Sequence, residues 1–475
     1  MPARRYDLIV VGMGSGGMVA AGFAASLGLR VACVERDRLG GDCLWTGCVP
    51  SKALLASARA AHTIRTADRF GLAAVAGPLD TARVLERIRR VQGTIAAGED
   101  SPARFEALGC ELHRGAARLA GPHAVEVDGR TLDGRFILLC TGSRPRVPDI
   151  PGLAEAGFLT SETVWDLPRL PASVIMIGAG PVAIELAQGV RRLGVAATVL
   201  GRGPRALARD EPELAAALVG ILRAEGVTVE SGVAVDRVDR IDRADRAGGE
   251  KVVHAGGRSW RAQELLIAAG RVPNLDGLGL AEVGIDAGPA GVSVDDGYRT
   301  AVRSVYAVGD LAGRHQFTHT AGFEAARAVR NMFIPGRARR AFTVPWTTFT
   351  DPELAHVGLT AKEARAADGG DRRIAVWRRG LGTSDRALAE EHADGAVMIV
   401  TDRGRVVGAH VLAPSAGELI GELALAVERR LRLTDLAGVV HVYPTIAVAI
   451  QQLAGEAAAA GARRYVWPRP RRTED

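Results

Sequence analysis

Residues 6–17, YDLIVVGMGSGG, join an apolar run to a glycine-rich turn. An apolar run of this length, broken once by an acid, is typical of a buried parallel strand. Within the turn, Gly12 permits a tight bend, Gly14 lets a pyrophosphate approach the backbone, and Gly17 lets the following helix pack closely on the strand. That alanine-rich helix should extend to about Leu27 and would point its N-terminus at the phosphates. The stretch therefore predicts a nucleotide-binding fold.

A second strand, predicted over residues 30–35, ends in Glu35, eighteen residues after Gly17. A carboxylate at this place can accept hydrogen bonds from ribose hydroxyls. A glycine motif alone is weak evidence, but here strand, turn, helix, strand and terminal acid follow one another in order. We therefore predict a dinucleotide site.

The same pattern returns in the middle of the chain. A strand over residues 173–177 leads into a second glycine motif, formed by Gly178, Gly180 and Ala183, and a helix to about Leu193 should follow. Two dinucleotide folds in one chain imply an electron donor and a tightly held electron acceptor.

The next predicted strand, residues 196–200, is not followed by an acid. Gly201 stands where a carboxylate would bind the ribose of NAD, and Arg202 and Arg205 come soon after it. The missing acid removes repulsion toward a 2′-phosphate, and two guanidinium groups can pair with that phosphate. The alternative is an ordinary solvated arginine pair in an arginine-rich protein. The pattern favours NADPH, with NADH as the second choice.

Residues 41–52, GDCLWTGCVPSK, place Cys43 and Cys48 five positions apart at a predicted helix entrance. Such a pair can close as a disulfide and reopen as a dithiol, which stores two electrons. The helix N-terminus and the nearby Lys52 both favour a thiolate, so they lower the pKa of whichever cysteine faces them. On spacing alone, two buried free cysteines remain an alternative, but the glycine-rich surroundings make it remote.

Size and composition limit the kind of protein. The chain has 475 residues, of which 47% are hydrophobic and 24% charged, and its net charge is +6. These values fit a globular enzyme with two to four domains. The positive charge is spread along the chain as arginine, so we expect no nucleic-acid partner. No apolar run reaches the ~18–20 residues of a membrane span, and five cysteines, an odd and sparse set, favour a reducing cytoplasm.

The second half of the chain carries further signals. Small-residue turns close predicted strands at residues 138–145, 268–274 and 304–310, and Asp310 could reach hydroxyl groups of a cofactor. Residues 236–262 predict a surface meander of short strands. Strand-like runs at residues 373–377, 396–400 and 406–412 and a helix at residues 416–430 predict a separate unit with an antiparallel sheet.

Taken together and in order, the dithiol stretch, both glycine motifs, residues 268–274, 308–310 and 350–353 resemble the class I pyridine nucleotide-disulfide oxidoreductases. This family includes dihydrolipoamide dehydrogenase, glutathione reductase and mercuric reductase. Residues 198–202 and 209–212 look most similar to mercuric reductase.

The resemblance implies an α/β fold with two Rossmann-like dinucleotide-binding domains and a C-terminal α+β dimerisation domain. The implied FAD-binding domain consists of residues 1–147, which include the redox disulfide, and residues 271–342. Residues 148–270 would form the NAD(P)-binding domain, residues 343–462 the dimerisation domain, and residues 463–475 a tail. The implied assembly is a homodimer.

The resemblance also assigns roles to residues. Cys48 would be the thiolate near the flavin, and Cys43 the outer thiol that attacks a substrate. Lys52 would lie near the flavin and pair with Glu185, because a buried charge needs a partner. FAD would be bound by Gly12, Gly14, Gly17, Glu35, Gly41, Asp42, Lys52, Thr141, Gly142, Arg271, Gly309 and Asp310. The nicotinamide nucleotide would be bound by Gly178, Gly180, Ala183, Arg202, Arg205 and Gly270. No resident metal site is expected.

The chain departs from the family pattern near its C-terminus. Tyr443 stands where disulfide-reducing members carry a catalytic histidine, and Val448 stands where they carry the glutamate that orients it. A phenol is a poor base near neutral pH, although it can donate a proton. His441 could substitute if the backbone turns it inward, but a structural histidine is the simpler interpretation. The tail from residue 461 lacks the cysteine pair of typical mercuric reductases, and Pro181 replaces an aromatic residue that covers the nicotinamide pocket in several relatives.

The expected function follows from these features. Electrons would pass from NADPH through FAD to the Cys43–Cys48 disulfide and then to a small acceptor: a disulfide, a quinone, an electrophile or a soft metal ion. The missing acid–base pair argues against efficient turnover of ordinary disulfides. The alternative is a flavoprotein subunit that relays electrons through the dithiol to a thiol-bearing protein partner.

Overall fold

The computed structural model describes residues 5–243, 246–313, 315–336, 342–367, 369 and 373–462. The chain forms two compact units. The first consists of Met1–Ala206 and Leu222–Phe342, and the second of Leu207–Ile221 and Thr343–Asp475. Within the described ranges, no helix has both the length and the apolar character needed to span a bilayer.

The strands, in chain order, are β1 (Tyr6–Val11), β2 (Val31–Glu35), β3 (Glu111–Arg114), β4 (Ala117–Gly121), β5 (Ala124–Val127), β6 (Arg130–Leu139), β7 (Ser143–Pro145), β8 (Leu159–Thr160), β9 (Ser173–Ile177), β10 (Ala196–Gly201), β11 (Thr228–Ser231), β12 (Arg237–Arg243), β13 (Arg246–Ala255), β14 (Arg258–Ala262), β15 (Glu264–Ile267), β16 (Arg271–Pro273), β17 (Ala287–Gly288), β18 (Gly291–Val292), β19 (Val305–Ala307), β20 (Trp346–Thr348), β21 (Glu353–Gly358), β22 (Ile374–Gly380), β23 (Ala396–Asp402) and β24 (Arg405–Ala413). The helices are α1 (Ser15–Ser26), α2 (Gly41–Trp45), α3 (Cys48–Arg65), α4 (Thr81–Ala97), α5 (Pro102–Ala107), α6 (Leu153–Ala156), α7 (Pro181–Arg192), α8 (Pro212–Ala224), α9 (Thr318–Phe333), α10 (Ala361–Ala367), α11 (Asp385–Ala389), α12 (Ala416–Glu428), α13 (Leu433–Leu436) and α14 (Val448–Ala462).

The first sheet has the order β3-β2-β1-β6-β5-β4, and β19 also pairs with β6. The strands β3, β2, β1, β6 and β19 are parallel, while β4 and β5 form an antiparallel extension. Alternate residues of β1 enter two different cores: Ile9 and Val11 pack on one face, Leu8 and Val10 on the other. Burial on both faces is the reason why the sequence of β1 is continuously apolar.

The second sheet, β11-β10-β9-β15-β8, is parallel throughout. Beside it in the chain, β12, β13 and β14 form the predicted antiparallel meander. The meander does not lie only on the surface, because Val238 and Val253 share a hydrophobic core with Ile175 and Leu265. Arg237 and Asp239, which flank Val238, are among the charged residues that made this segment look exposed.

The second unit has an antiparallel sheet with the order β20-β21-β24-β23-β22. Helices α12 and α14 pack against it through residues such as Leu423 and Leu453. The predicted helix over residues 416–430 ends earlier, at Glu428. Arg430 adopts a left-handed φ of 53°, and the N–H of Leu431 donates to the carbonyl of Ala426, which is a Schellman ending.

The fold class is the expected one: α/β with parallel dinucleotide-binding sheets, followed by a C-terminal α+β unit. The boundaries within the first unit stay predictions. Leu207–Ile221, which lies inside the predicted segment 148–270, groups with the C-terminal residues. The predicted tail, residues 463–475, lies outside the described residues.

Candidate functional site

The first glycine motif forms a cradle at the start of α1 that no larger residue could form. Gly12 has a φ of +92°, and a Cβ atom there would lie 2.6 Å from the carbonyl oxygen of Cys140. A Cβ on Gly17 would lie 1.9 Å from the carbonyl oxygen of Gly12. Gly41, with a φ of +54°, brings α2 so close that its Cβ would lie 2.8 Å from the Cα of Gly14. The N-terminus of α1 is therefore bare backbone, as a phosphate requires.

Glu35 lies beside this cradle, at the end of β2. One carboxylate oxygen accepts the N–H of Met13 at 2.8 Å, and the other accepts the N–H of Asp37 at 2.9 Å. These bonds fix the carboxylate next to the glycine turn. An ionised carboxylate keeps further lone pairs for ribose hydroxyls.

A second group of polar side chains joins four distant parts of the chain. Arg271 lies 3.1 Å from Asp42 and 3.7 Å from Asp310, measured between guanidinium nitrogens and carboxylate oxygens. Ser143 connects them, since its hydroxyl donates to Asp310 at 2.5 Å and accepts from Arg271 at 2.7 Å. Burial is the main cause that raises the pKa of Asp310. Sequence reasoning did not select Ser143, although it lies in one of the small-residue turns.

The remaining residues assigned to FAD lie in turns held by hydrogen bonds. The hydroxyl of Thr141 donates to the carbonyl of Asn274 at 3.0 Å, and Gly142 adopts a φ of +67°. The N–H of Gly309 donates to Glu324 at 2.8 Å. Glu324 is 4% exposed and was not selected from the sequence.

The two cysteines of the dithiol stretch lie on either side of a helix break. Cys43 belongs to α2, and Cys48 is the first residue of α3. Both thiols are free and hydrogen-bonded to each other. The Cys48 sulfur also lies 3.3 Å from the hydroxyl of Thr318, the first residue of α9. Thr318 is 270 positions away in the chain, so no local signal could have identified it.

The two thiols differ in acidity. The hydrogen bond from Cys43 is the largest cause that lowers the pKa of Cys48 to about 6, and Thr318 and the charge of Lys52 lower it further, against burial and the charge of Asp42. The same Cys43–Cys48 bond, together with burial, raises the pKa of Cys43. Cys48 is therefore the thiolate of the pair at neutral pH, and Cys43 keeps its proton.

Lys52 lies one helical turn after Cys48 on α3. Its ammonium nitrogen lies 2.8 Å from a carboxylate oxygen of Glu185 on α7. The Glu185 side chain is only 7% exposed, so its charge depends on this partner. The helices α3 and α7 approach closely at Gly189, where a Cβ would lie 3.2 Å from Leu54.

The second glycine motif builds a similar cradle. Gly178 has a φ of +123°, and its Cβ would lie 2.1 Å from the carbonyl oxygen of Ala268. Gly180 caps α7 and faces open space, as does Gly270 with its φ of +107°. Ala183 is fully buried in α7. This open helix start fits the pyrophosphate of a second dinucleotide.

The end of β10 lacks an acid, as the sequence indicates. A Cβ on Gly201 would lie 2.7 Å from the Cβ of Ala179, so the close packing at the glycine motif leaves no room for a side chain. Arg202 is exposed and Arg205 is half-buried, immediately beyond the strand.

In the second unit, Tyr443 and His441, the two candidates for the missing acid–base function, have different surroundings. Tyr443 is 69% exposed, and its hydroxyl donates to Asp385, which raises the pKa of the phenol. The side chain of His441 is 6% exposed and lies 3.1 Å from Glu422. Its other ring nitrogen lies 3.1 Å from the carbonyl oxygen of Val439. His441 is held inside its own unit, which favours the structural interpretation.

The described residues fit FAD at the first cradle. Bare backbone at the start of α1 suits the pyrophosphate, Glu35 suits the ribose, and Asp310 lies at the N-terminal end of a short 3₁₀ turn, Gly309–Ala312. The Cys48 thiolate lies on the α3 side of this cradle, since Gly41 of the same stretch touches Gly14.

Comparison with known proteins agrees with this geometry. Residues 6–325 match the family model of the pyridine nucleotide-disulphide oxidoreductases, and residues 344–454 match the dimerisation domain of the same family. Mercuric reductase from Streptomyces lividans is 35% identical over 461 residues, which cover 94% of this chain and 95% of that protein. Dihydrolipoyl dehydrogenase from Bacillus subtilis is 32% identical over 478 residues, covering 96% of this chain and 98% of that protein.

Among solved structures, the HOCl-induced flavoprotein disulfide reductase RclA from Escherichia coli has the same fold, with a TM-score of 0.84. The alignment covers 95% of this chain and 99% of that chain at 24% sequence identity. The expected family and fold class are thereby confirmed. The chain belongs to the pyridine nucleotide-disulphide oxidoreductase family and is an FAD-dependent enzyme of that family.

Proposed function

We propose that this enzyme takes electrons from NADPH and passes them through FAD to the Cys43–Cys48 pair, which then reduces a small acceptor. The observation that carries this proposal is the contact between two free thiols next to the glycine cradle, with Thr318 at the Cys48 sulfur and Lys52 one helical turn after it. A thiolate paired with a protonated thiol is the arrangement of a working dithiol rather than of two inert buried cysteines.

FAD, when bound, would supply the step that accepts a hydride from the nicotinamide and hands on an electron pair. The chain's own residues supply the rest. Cys48 holds the thiolate, and Thr318 and Lys52 stabilise its negative charge. Glu185 keeps Lys52 in place. Cys43, the protonated thiol, lines a cavity and can meet the acceptor.

The preference for NADPH is part of the same proposal. Because Gly201 leaves no carboxylate, a 2′-phosphate near Arg202 and Arg205 would meet two guanidinium groups and no repelling acid. Replacing both arginines by alanine should raise the KM for NADPH by roughly 10- to 100-fold and leave the KM for NADH within about threefold. Arg90→Ala, which removes an exposed arginine from α4, is the matched control. An equal change with both nucleotides would contradict the preference.

Ordinary disulfides should be poor acceptors. Tyr443 is exposed and bonded to Asp385, and His441 is turned toward Glu422, so neither side chain supplies the histidine–glutamate pair that disulfide-reducing relatives use. Quinones, electrophiles and soft metal ions do not need that proton donor. A homodimer formed through residues 344–454 and a cytoplasmic location belong to the same proposal.

Anaerobic titration with NADPH tests the proposal. The oxidised protein should consume about two equivalents of NADPH per subunit before the flavin absorbance is fully bleached, because the disulfide takes one electron pair and the flavin a second. The Cys43→Ser protein should need about one equivalent. Consumption of one equivalent by both proteins would show that the dithiol takes no electrons.

A further inference from the structure

A cavity of about 510 Å³ opens beside the Cys43 thiol. Its walls are mostly apolar and come from three helices: Met18, Val19 and Phe23 from α1, Leu44 from α2 and Val49 from α3. The volume suits a one- or two-ring molecule. A phenyl ring and a thioether are the contacts that a flat ring system prefers.

The charged residues of the cavity come from the turn between α4 and α5 and from α5 itself. They are Glu99, Asp100 and Arg104. The Arg104 guanidinium is already paired, with one nitrogen 3.1 Å from the carboxylate of Glu99 and another 3.0 Å from its carbonyl oxygen. Arg104 is the single cation among the described residues that line the cavity. The two carboxyl groups thus outnumber the one guanidinium, and burial raises the pKa of Asp100.

This balance of charge selects among acceptors. An anionic acceptor would approach Cys43 past the Asp100 carboxyl group, while the Arg104 guanidinium that could attract it is already paired with Glu99, so the local concentration of the anion would fall. A neutral ring would bury apolar surface against Met18 and Phe23 without that repulsion.

We propose that this cavity admits a neutral, flat, apolar acceptor of the quinone class to Cys43, and that Glu99 and Asp100 exclude anionic acceptors. The proposal rests on the dithiol function above and narrows its acceptor. In the reaction, the Cys43 thiol and the Cys48 thiolate lose two electrons and one proton and form the disulfide. The two carbonyl oxygens of the quinone gain the two electrons, that proton and a second proton from water to give the hydroquinone. The hydride equivalent of NADPH then restores the Cys43 thiol and the Cys48 thiolate and yields NADP⁺.

Steady-state kinetics of the FAD-loaded protein with two quinones tests the selection. 2-Methyl-1,4-naphthoquinone is neutral, and 1,2-naphthoquinone-4-sulfonate carries one negative charge. The kcat/KM of the neutral quinone should exceed that of the sulfonate by at least about tenfold. Glu99→Gln with Asp100→Asn should reduce this ratio by roughly three- to tenfold, and Phe23→Ala should lower the kcat/KM of the neutral quinone about fivefold. Glu106→Gln, which removes an exposed carboxylate of α5 outside the cavity, should not change the ratio.

A binding readout complements the kinetics. In the Cys48→Ser protein no neighbouring thiolate competes for the reagent and the thiol hydrogen bond that raises the pKa of Cys43 is gone. Alkylation of Cys43 by iodoacetamide in this protein, followed by mass spectrometry of its peptide, should be slowed by the neutral, unreactive ring α-tetralone. Naphthalene-2-sulfonate should protect much less, and the Glu99→Gln, Asp100→Asn protein should allow it to protect.

The outcomes separate the two proposals. Suppose that the NADPH titration still gives two equivalents. The quinone assignment alone would then be overturned if both quinones had equal kcat/KM values that the Glu99→Gln, Asp100→Asn protein did not alter. Equal protection of Cys43 by α-tetralone and naphthalene-2-sulfonate would overturn it as well. Faster turnover of mercuric ion than of either quinone would also overturn it. A titration that stops at one equivalent would overturn the dithiol function itself.

Discussion

Cys43 and Cys48 are the same residue type in one short stretch, yet the fold raises the pKa of the Cys43 thiol and lowers that of the Cys48 thiol. Cys48 receives the hydrogen bond from Cys43, contacts Thr318 and feels the charge of Lys52. Spacing and the helix entrance predict a thiolate in this stretch. Which sulfur carries the charge depends first on the Cys43–Cys48 hydrogen bond, which lowers the pKa of Cys48 and raises that of Cys43, and the spacing of the two residues does not give the direction of that bond.

The effect of the Lys52 charge on the pKa of Cys48 should be measurable. In the Cys43→Ser protein with bound FAD, the absorbance band of the Cys48 thiolate against oxidised flavin reports its ionisation. The band should disappear as the pH falls below the pKa of Cys48, because protonation removes the thiolate. Adding Lys52→Gln removes a cation that lowers this pKa, so the midpoint should move up by about one pH unit.

Glu185→Gln in the same background is the matched control. It removes the negative partner 2.8 Å from the Lys52 ammonium, so it should leave the midpoint unchanged or lower it. A midpoint that stays fixed in the Lys52 variant would show that Lys52 does not stabilise the thiolate, whereas a midpoint that rises in the Glu185 variant would show that Glu185 acts by holding Lys52 in place.

At the scale of elements, the start of α1 depends on closely packed glycines. Gly17→Ala would place a Cβ 1.9 Å from the carbonyl oxygen of Gly12, so the turn would have to open. We expect the purified Gly17→Ala protein to lose most of its FAD, measured as the ratio of flavin to protein absorbance.

Gly22→Ala is the matched control in the same helix. Nothing lies within 4 Å of a Cβ at Gly22, and alanine is the better helix former by about 0.5–1 kcal/mol. Flavin content should therefore equal that of the unaltered protein. Equal loss in both variants would show that the close packing at Gly17 does not form the cradle.

Two strands of the second unit carry a histidine pair that the sequence did not predict. His356 on β21 lies directly opposite His410 on β24, and both are buried, 1% and 0% exposed. Burial is the main cause that lowers the pKa of His356 to about 3 and that of His410 to about 4. Both rings are therefore neutral in the folded protein at neutral pH.

This pair predicts acid sensitivity. Below the ordinary histidine pKa of about 6.5, the unfolded chain binds protons that the folded unit does not, so the free energy of unfolding should fall as the pH falls. The loss should be at most about 1.4 kcal/mol per histidine and pH unit, between about pH 6.5 and the folded values. Urea unfolding at pH 7 and pH 5, followed by tryptophan fluorescence, measures it. A pH dependence that His356→Gln with His410→Gln leaves unchanged would contradict this origin.

Several elements could be predicted because their signals are local. The continuous apolar run of β1 and the strand-like apolar runs of β22, β23 and β24 are readable from neighbouring residues. Helices α4, α9 and α14 were not predicted. Their roles come from distant contacts, such as Thr318 of α9 with Cys48, which only the folded chain creates.

At the scale of the whole molecule, the part of the chain that matches the family's dimerisation domain, residues 344–454, carries an exposed apolar segment. Val440 is 91% exposed, Val442 76% and Val439 47%, next to the exposed Tyr443. So much exposed apolar surface in one segment is typical of a surface that another chain covers. The family pattern at Tyr443 was readable from the sequence, but its exposure and its bond to Asp385 were not.

The homodimer proposal gives a direct prediction. Val440→Glu with Val442→Glu should weaken the dimer at least tenfold, because the acids would be buried without partners. Val75→Glu, a change at a 63% exposed valine in the first unit, is the control and should leave the molar mass of the particle in solution unchanged at each concentration. Light scattering over a concentration series measures both. A dimer of unchanged strength in the double variant would place the interface elsewhere.

The proposed electron path requires one spatial relation above all: the Cys48 thiolate must lie against the flavin that the first cradle is proposed to bind. The most direct measurement is the long-wavelength absorbance of FAD-loaded single variants before any NADPH is added. Cys43→Ser should show the thiolate–flavin band, and Cys48→Ser should not, while Cys110→Ala should resemble the unaltered protein. A band that persists in Cys48→Ser, or is missing from Cys43→Ser at pH 8, would contradict the account.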